Sequence, residues 1–300
     1  MHYTGTIWRP PYEAESLLLE VSAGCTHHRC KFCTLYHDLP FSFKKTPLSV
    51  IEEDLNEAKT QLSLWGEAHT VRRVFLTGAN PFVFPSARLL EIAEQIKTRF
   101  PKVESIGCFA RVTDVSPKSD AQLAQLQAAG YDGLTLGIET GDDAALAFMD
   151  KGYRSVDILT QCRRLDQAGI GYHFFYLAGI SGAGRGEAGA RATAQLCNQL
   201  HPRRIGSSML TLYPESRLYQ EVQAGRWQEA GELEKYQELK TLVEQLDIPV
   251  WFAALGASNA IPIQGTLPKD KTTLSTLLGE IVRVGSEGQL RQYREHLPHL

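Results

Sequence analysis

The sequence predicts an α/β protein, a partial parallel (β/α)6 barrel followed by a mainly helical C-terminal extension. Short apolar runs alternate with longer amphipathic runs six times in the first two-thirds of the chain, which is typical of βα units on a parallel sheet. Some predicted strands, such as His173–Leu177, are apolar along most of their length, as strands buried on both faces are. A length of 300 residues suits one α/β barrel with an addition.

The elements of this barrel follow one another in chain order. The predicted strands are Leu17–Ser22, Arg73–Thr77, Val103–Phe109, Gly133–Ile138, Gly171–Leu177 and Arg204–Leu212. The predicted helices are Leu48–Leu64, Ser86–Thr98, Ser119–Ala129, Asp142–Met149, Val156–Ala168 and Glu187–Leu200. Pro47 and Pro85 stand where helical turns begin. Gly130 and Gly169 follow helical runs at the position of a C-cap glycine.

The rhythm changes after Tyr213-Pro214, which predicts a barrel domain at 1–214 and an extension at 215–300. Six strands make an incomplete ring, so we expect the extension to cover the barrel mouth. Gly256–Pro268 is rich in glycine, proline, asparagine and serine and is predicted to be a loop that approaches a ligand. The other predicted elements are helices at Glu215–Ala224, Gln228–Leu246, Thr272–Val284 and Glu287–Glu295 and a strand at Pro249–Ala253.

Composition excludes several classes of protein. The hydrophobic content of 43% and charged content of 22% are those of an ordinary globular protein with a substantial core. The net charge is −3 and no basic stripe occurs, so we expect no nucleic-acid partner. No apolar stretch approaches the ~20 residues that cross a bilayer, which predicts no membrane association. The chain shows no signal peptide, so we expect a cytoplasmic location.

Three cysteines within nine residues form the most informative segment of the chain. Cys25, Cys30 and Cys33 follow the first predicted strand with the spacing Cys-X4-Cys-X2-Cys. Three thiolates on one loop can hold three corners of an iron–sulfur cube and leave one iron open. The alternative is a structural zinc site completed by a histidine, although no second ligand pair follows downstream. The histidines available for it are His27, His28 and His37.

Polar groups and glycines follow the other predicted strands, at the edge where parallel βα barrels place their active sites. Thr77–Asn80 ends the second strand, and a plain βα turn is its alternative interpretation. Glu139 ends the fourth strand and suits a ribose diol or an ammonium group, with a helix-capping acid as the alternative. Lys151 could balance a ligand carboxylate or be a surface lysine. Ala178–Gly184 is glycine-rich and would let a flat ring lie close to backbone.

The remaining cysteines are far apart in sequence and predict no second cluster. Cys162 and Cys197 lie in helical patterns and are expected to be buried apolar residues. Cys108 ends the third strand and, together with Tyr36, is a weak candidate for a catalytic role, with a buried structural thiol as its alternative.

From about Leu17 to Tyr219, the chain resembles the radical S-adenosylmethionine (SAM) superfamily, especially its coproporphyrinogen-oxidase-like and Elongator-like branches. The three cysteines resemble the cluster motif of that superfamily. The resemblance implies a [4Fe-4S] cluster and SAM as cofactors, and an enzyme that cleaves SAM to a 5′-deoxyadenosyl radical. The residues that it assigns to SAM are Phe32, Thr77, Gly78, Ala79, Asn80, Glu139, Lys151 and Gly179.

Each assignment depends on a motif of the family. Thr77–Asn80 stands where the family has a Gly-Gly-Glu-type motif that holds the SAM amino group. Glu139 matches a SAM-contacting acidic or amide position. Lys151, twelve residues later, matches a basic position that pairs with the SAM carboxylate. Ala178–Gly182 resembles the motif beside the adenine, and Leu212–Tyr219 resembles a Tyr-Pro-Gly-Thr-Pro-Leu-Tyr stretch after the sixth strand.

The chain departs from the family pattern at two places. Four residues, rather than the commoner three, separate Cys25 from Cys30, so the loop must bulge around a cluster. Ala79-Asn80 replaces a Gly-Glu pair, which weakens the expected carboxylate contact with the SAM ammonium group.

The sequence leaves the substrate open and favours a small molecule, because no RNA-binding module, cobalamin domain or C-terminal cysteine cluster is visible. The resemblance implies an electron donor such as flavodoxin or ferredoxin. A zinc- or cluster-stabilised binding protein without catalytic activity is the alternative function. The residues that could line a substrate pocket are Tyr36, His37, Arg111, His173, Tyr176, Ser258 and Asn259, of which Arg111, His173, Tyr176 and Asn259 are the main candidates.

Overall fold

The computed structural model describes residues 1–66 and 70–297. Its strands are β1 (Leu17–Glu20), β2 (Ser22–Gly24), β3 (Phe43–Lys45), β4 (Arg73–Thr77), β5 (Ser105–Ala110), β6 (Leu134–Glu139), β7 (Tyr172–Ala178), β8 (Arg204–Met209), β9 (Val250–Ala254) and β10 (Ile263–Leu267). Its α-helices are α1 (Leu48–Leu64), α2 (Ser86–Arg99), α3 (Val112–Val115), α4 (Asp120–Ala128), α5 (Asp143–Phe148), α6 (Ser155–Ala168), α7 (Gly186–Cys197), α8 (Arg217–Gln223), α9 (Glu232–Gln245), α10 (Lys271–Val284) and α11 (Glu287–Glu295).

The strands form an eight-stranded sheet in the order β1-β4-β5-β6-β7-β8-β9-β10. The pairs β1–β4, β4–β5, β5–β6, β7–β8 and β8–β9 are parallel, and β10 runs antiparallel to β9. In register, Leu17 lies opposite Val74 and His173 opposite Arg204. The predicted α/β class, a partial parallel barrel with a largely helical extension, is confirmed.

Local sequence signals account for most element boundaries. The predicted helix Leu48–Leu64 and strand Arg73–Thr77 have the observed bounds, and most other predicted elements differ by one to four residues. Helix α1 buries Ile51, Leu55 and Ala58, which share one helix face. At α4, Ser119 accepts a hydrogen bond from the Gln122 N–H at 3.2 Å and closes a capping box.

Three details of the predicted strands were wrong. The first predicted strand divides into β1 and β2, and β2 turns away to pair antiparallel with β3, which the sequence analysis missed. The sixth strand ends at Met209 rather than Leu212. Gly256–Pro268 is not a loop throughout, because β10 occupies its second half. Ile263 and Leu267 are buried in β10 while Gln264 and Thr266 are exposed, a period-two pattern that flanking prolines obscured.

The chain folds into two compact units. The first comprises Met1–His28, Leu35–Leu136 and Arg163–Tyr172, and the second comprises Arg29–Thr34, Gly137–Cys162 and His173–Leu300. The division into domains at residue 214 stays a prediction. Among the described residues, no helix is long and apolar enough to cross a membrane.

Each compact unit has its own apolar core. In the first unit, α1 packs on α2, which buries Leu89, Ile92 and Ile96. In the second unit, one buried cluster lies beside the ends of β7 and β8 and includes a residue of α8; its members are Met149, Leu177, Ile180, Leu210 and Leu218.

Candidate active site

The first compact unit holds Cys25 at the end of β2 by a tightly constrained backbone. The Cys25 N–H donates to the Ser42 carbonyl at 2.7 Å, and the Gly24 carbonyl accepts from the Ala79 N–H at 3.3 Å. Gly24 has φ of 78°, and a β-carbon there would collide with the Ser42 carbonyl. A glycine is therefore required directly before the first cysteine.

The second compact unit holds the other two cysteines in a turn. The Cys33 N–H donates to the Cys30 carbonyl at 3.2 Å. Between them, the Lys31 N–H donates to the Met149 carbonyl at 3.0 Å, and the Lys31 carbonyl accepts from the Leu218 N–H at 2.7 Å. Leu218 belongs to the segment after the sixth parallel strand that the sequence analysis singled out. Backbone bonds thus tie the cysteine turn to two separate elements.

Asn80, predicted to contact SAM, lies at the end of β4 in the first unit and is fully buried. Its Nδ2 donates to Thr26 Oγ1 at 2.8 Å, and its Oδ1 accepts from the Thr26 N–H at 3.3 Å. The same Nδ2 donates to both carboxylate oxygens of Asp114, at 3.2 and 3.1 Å. Burial raises the pKa of Asp114 to about 6, and the Arg111 N–H and the Asn80 amide oppose that rise.

Glu139 and Lys151 form a buried ion pair in the second unit. Lys151 Nζ donates to Glu139 Oε1 at 3.0 Å and lies 5.7 Å from the centroid of the Phe32 ring. Burial alone would lower the pKa of Lys151, but Glu139, Tyr153 and Cys30 raise it well above its ordinary value. The structure therefore brings together Glu139, Lys151 and Phe32 of the cysteine turn, three residues predicted separately.

The end of β7 is held by α9, a contact that the sequence analysis missed. Gly179 has φ of 91°, and a β-carbon there would meet the Lys235 side chain at 2.9 Å. Glu238 accepts hydrogen bonds from the Gly179 N–H at 2.8 Å and from the Tyr176 hydroxyl. Burial raises the pKa of Glu238 to about 8. Glu238 is one of several acidic residues in a polar helix, so nothing in the sequence distinguishes it from the exposed ones.

The weak catalytic candidates and the predicted substrate residue Arg111 lie in the first unit. Cys108 is fully buried in β5, and burial raises the pKa of its thiol. Tyr36 is buried, with φ of 69°, beside Ser22 and Thr77 in a small cavity. Arg111 caps α3, and its Nη1 donates to the Thr113 hydroxyl at 3.1 Å.

The other three main substrate candidates lie in the second unit. His173 and Tyr176 are buried on β7. Asn259 is buried; its Nδ2 donates to the carbonyls of Ser207 at 3.0 Å and Gly256 at 3.2 Å. Its Oδ1 has no hydrogen-bond partner among the described residues.

A cavity of about 360 Å³ opens in the second unit. The Phe148 ring in its wall lies 4.0 Å below the Lys31 ammonium group, which connects the cavity wall to the cysteine turn. None of the four main substrate candidates is among the described residues that line it. Its characteristic wall residues are Phe148, Ile180, Ser181, Arg185, Arg226 and Trp227.

The donors on the cysteine loop fit an iron–sulfur cluster by their chemistry. Cys25, Cys30 and Cys33 are partly exposed thiols outside any disulfide, and the Lys151 ammonium group interacts electrostatically with Cys30. In residues 1–66 and 70–297, no group of three or more histidine, cysteine, aspartate or glutamate side chains is gathered as a preformed metal site. Three thiols without a disulfide are the ligand set of a cluster with one free iron.

Comparison with known proteins defines the class of this molecule. Residues 19–185, more than half of the chain, match the sequence model of the radical SAM superfamily. The chain belongs to the radical SAM superfamily. Its cofactors are those of the superfamily, a [4Fe-4S] cluster and SAM. No curated protein matches the chain by sequence.

Solved structures with a similar fold come from several branches of the superfamily. A methylornithine synthase is 14% identical, with TM-score 0.53, and the match covers 93% of this chain and 85% of that one. Coproporphyrinogen III oxidase from Escherichia coli is 14% identical, with TM-score 0.53 and coverage of 76% and 51%. A radical SAM methyltransferase from Kitasatospora setae with bound cobalamin and a [4Fe-4S] cluster is 17% identical, with TM-score 0.51; the match covers 70% of this chain and 37% of that chain. At these identities the likeness shows the fold alone.

Proposed function

We propose that this enzyme cleaves SAM reductively and uses the resulting radical to abstract hydrogen from a small-molecule substrate. The observation that carries the proposal is the buried Glu139–Lys151 pair beside Phe32 of the cysteine turn, all within one compact unit. When bound, the reduced cluster supplies the electron that cleaves SAM to methionine and a 5′-deoxyadenosyl radical. The residues of the chain bind and orient the reactants and exclude water from them.

In this proposal, Cys25, Cys30 and Cys33 hold the cluster. Lys151 pairs with the SAM carboxylate, and Glu139 accepts hydrogen bonds from SAM while keeping the lysine charged. Lys151 and Glu139 suit these roles because they are buried. In a medium of low dielectric constant, their contacts with the charged groups of SAM are stronger than the same contacts in water. The Gly179 backbone lies beside the adenine, and the position needs glycine because a β-carbon there would meet the Lys235 side chain on its other side.

The electron donor would be a small redox protein such as flavodoxin or ferredoxin. A small-molecule substrate is supported by the cavity of about 360 Å³ whose wall contacts the cysteine turn through Phe148 and Lys31. Arg185 and Arg226 in that wall are paired with Asp142 and Glu221, and because a guanidinium group has five donors they could also bind a substrate that carries a carboxylate or phosphate group.

Anaerobic reconstitution tests the proposal directly. The protein is incubated with iron and sulfide, reduced with dithionite and mixed with SAM, and 5′-deoxyadenosine and methionine are measured by chromatography. We expect both products in equal amounts and a broad absorbance near about 400 nm, as thiolate-bound iron–sulfur clusters give. Tight binding of one zinc ion per chain, without 5′-deoxyadenosine, would contradict the proposal.

Single replacements of the three loop cysteines, compared with replacement of a cysteine outside the loop, test which thiols bind the cluster. Cys25→Ala, Cys30→Ala and Cys33→Ala should each abolish cluster binding and SAM cleavage but leave the chain folded, because the core does not depend on a metal. Cys162→Ala, which removes a buried cysteine of α6, should leave the iron content unchanged. Far-ultraviolet circular dichroism checks folding. Global unfolding in the three loop variants would indicate a structural metal site instead.

A further inference from the structure

The side chain of Asn80 has no donor left for a ligand. An amide group has two N–H donors, and those of Asn80 go to Thr26 Oγ1 at 2.8 Å and to the Asp114 carboxylate at 3.1 Å. The carbonyl oxygen of the same amide accepts from the Thr26 N–H. That oxygen has a second lone pair, but Asn80 is fully buried, so a ligand donor such as an ammonium group does not reach it.

Asp114 anchors this amide to the end of β5. The carboxylate is buried on α3, and its Oδ2 also accepts from the Arg111 N–H at 2.7 Å, which completes the cap of that helix. The Asp114 carbonyl accepts from Lys118 Nζ at 2.9 Å. Asp114, which accepts from Asn80, is therefore itself held by hydrogen bonds from the Arg111 N–H and from Lys118 Nζ.

The group that this arrangement holds in place is the peptide next to the first cysteine. Thr26 follows Cys25 directly, and both its N–H and its hydroxyl bond to Asn80. On the other side, the Cys25 N–H is held by the Ser42 carbonyl. The Cys25 thiol therefore projects from a backbone that is fixed on both sides, within the first compact unit.

We infer that Asn80 and Asp114 are a positioning pair, which holds Cys25 through Thr26 in the conformation that binds the cluster, and that Asn80 does not contact SAM. This inference rests on the proposed function of Cys25 as a cluster ligand. In the family, the motif at this position holds the SAM amino group. In this chain, Asn80 holds the backbone next to Cys25 instead. Contacts that hold a metal ligand from outside commonly determine how firmly the metal is retained.

Exchanging the two side chains tests the inference. In Asn80→Asp, two carboxylates would face each other at the present 3.1 Å and the donor would be lost. In Asn80→Asp/Asp114→Asn, the carboxylate at position 80 can accept from the Thr26 N–H, the Thr26 hydroxyl and the new amide at position 114. We expect Asn80→Asp to release iron to a ferrous chelator roughly tenfold faster than the wild type. The rate of iron release from the exchanged pair should lie within about twofold of the wild-type rate.

Three further measurements separate positioning from general stability. Thr26 is exposed, so Thr26→Val removes the hydroxyl without disturbing the core, and it should also accelerate iron loss. The electron paramagnetic resonance spectrum of the reduced cluster should change in Asn80→Asp and recover in the exchanged pair. Asn198→Asp is the matched control, because the Asn198 amide, at the C-cap of α7, makes two bonds of similar length, with Gln245 and Asp247.

The possible outcomes are distinct. Wild-type iron release in Asn80→Asp and Thr26→Val would overturn the inference, as would failure of the exchanged pair to recover. A normal cluster with weakened SAM binding in Asn80→Asp would also overturn it, because Asn80 would then contact SAM. If the wild-type chain takes up no cluster, the proposed function fails, and the inference fails with it.

Discussion

At the scale of single residues, the buried ion pair of the second unit sits on strained backbone. Glu139 has φ of 64° and Asp150, directly before Lys151, has φ of 56°. Few residues other than glycine adopt this left-handed region, and such strain is concentrated at functional sites. Asp150 closes the C-terminus of α5, where the Lys151 N–H donates to the Leu146 carbonyl at 3.0 Å. The Lys151 ammonium group lies 3.0 Å from the Glu139 carboxylate, and a surface lysine would not need this burial.

Replacing either member of this pair should weaken SAM binding without loss of iron. Lys151→Met and Glu139→Gln each remove one charge-assisted contact, so we expect a roughly tenfold to hundredfold loss of SAM affinity. Titration of the reconstituted protein with SAM measures the affinity, and iron analysis measures the cluster. Arg154→Met, which breaks an exposed pair with Asp143 at 3.2 Å, is the matched control. Unchanged affinity in both pair variants would remove them from the SAM site.

At the scale of elements, α9 contacts several other elements of the second unit. It packs on α7 and α10, and its Glu238 binds the end of β7. Glu232 on the same helix binds Arg294 of α11, whose Nε and Nη2 donate to the carboxylate at 2.8 and 2.7 Å. Burial alone would raise the pKa of Glu232, but Arg294 and Lys235 lower it. Buried polar bonds therefore connect α9 to β7 and α11.

The raised pKa of Glu238 predicts a pH dependence of stability. Its pKa is about 8 in the folded chain against an ordinary value of 4.5, so between these values the folded chain binds a proton that the unfolded chain lacks. The free energy of unfolding contributed by this group therefore falls as the pH rises toward 8. From about pH 6 to about pH 8.5 the loss should be roughly 2–3 kcal/mol.

Glu238→Gln should remove this dependence, because an amide cannot ionise and can still bond to both Tyr176 and Gly179. Denaturant unfolding at the two pH values measures it. Glu244→Gln is the control on the same helix: Glu244 has a pKa lowered chiefly by Lys240 and Ser275, so that variant should keep the wild-type slope between these pH values. Equal slopes in wild type and Glu238→Gln would contradict the prediction.

The bond between α11 and α9 should contribute strongly to stability. Arg294→Met leaves the buried Glu232 carboxylate without its bidentate partner and leaves the Ser258 carbonyl without its donor. We expect a loss of about 3–5 kcal/mol in the free energy of unfolding, as is usual for breaking a buried ion pair. Urea denaturation measures it. Arg283→Met, which breaks an exposed pair with Glu280, should change stability by less than about 1 kcal/mol.

At the scale of the whole molecule, the C-terminal third contributes strands to the main sheet as well as helices. β9 pairs in parallel with β8, and β10 continues the sheet beyond it. The predicted cover over the barrel mouth stays a proposal. The pairing nevertheless shows that residues after 214 are built into the same sheet. Without β9, the edge of β8 would present unpaired backbone groups.

A chain truncated after residue 220 should therefore aggregate or lose its cooperative unfolding. The truncation removes β9, β10 and α9 and so exposes the edge of β8 and the buried face of α7. Size-exclusion chromatography and thermal unfolding measure the effect. A matched truncation after residue 285 removes only α11 and should remain folded but less stable. A monomeric, cooperatively unfolding chain of 220 residues would show that the extension is dispensable.

The sequence by itself determined the order of the parallel strands and helices, the three-cysteine motif and the strand-end positions of Glu139 and Gly179. These features have local signals: apolar runs of strand length, glycine and proline at element ends, and fixed spacing within one loop. The strand β10 was missed because its period-two burial is short and lies between prolines. The small β2–β3 pairing was missed because it depends on partners 19 to 23 residues apart.

Only the tertiary structure decided what the side chains at those positions contact. In sequence, Asn80 is an amide at a strand end, whereas in the fold it bonds to Thr26 and Asp114, which lie 54 and 34 residues away in the chain. Glu238 gives no signal in a polar helix, yet it is buried against Tyr176 and Gly179. Hydrogen bonding and burial depend on which distant groups the folded chain brings within about 3 Å, and local spacing does not contain that information.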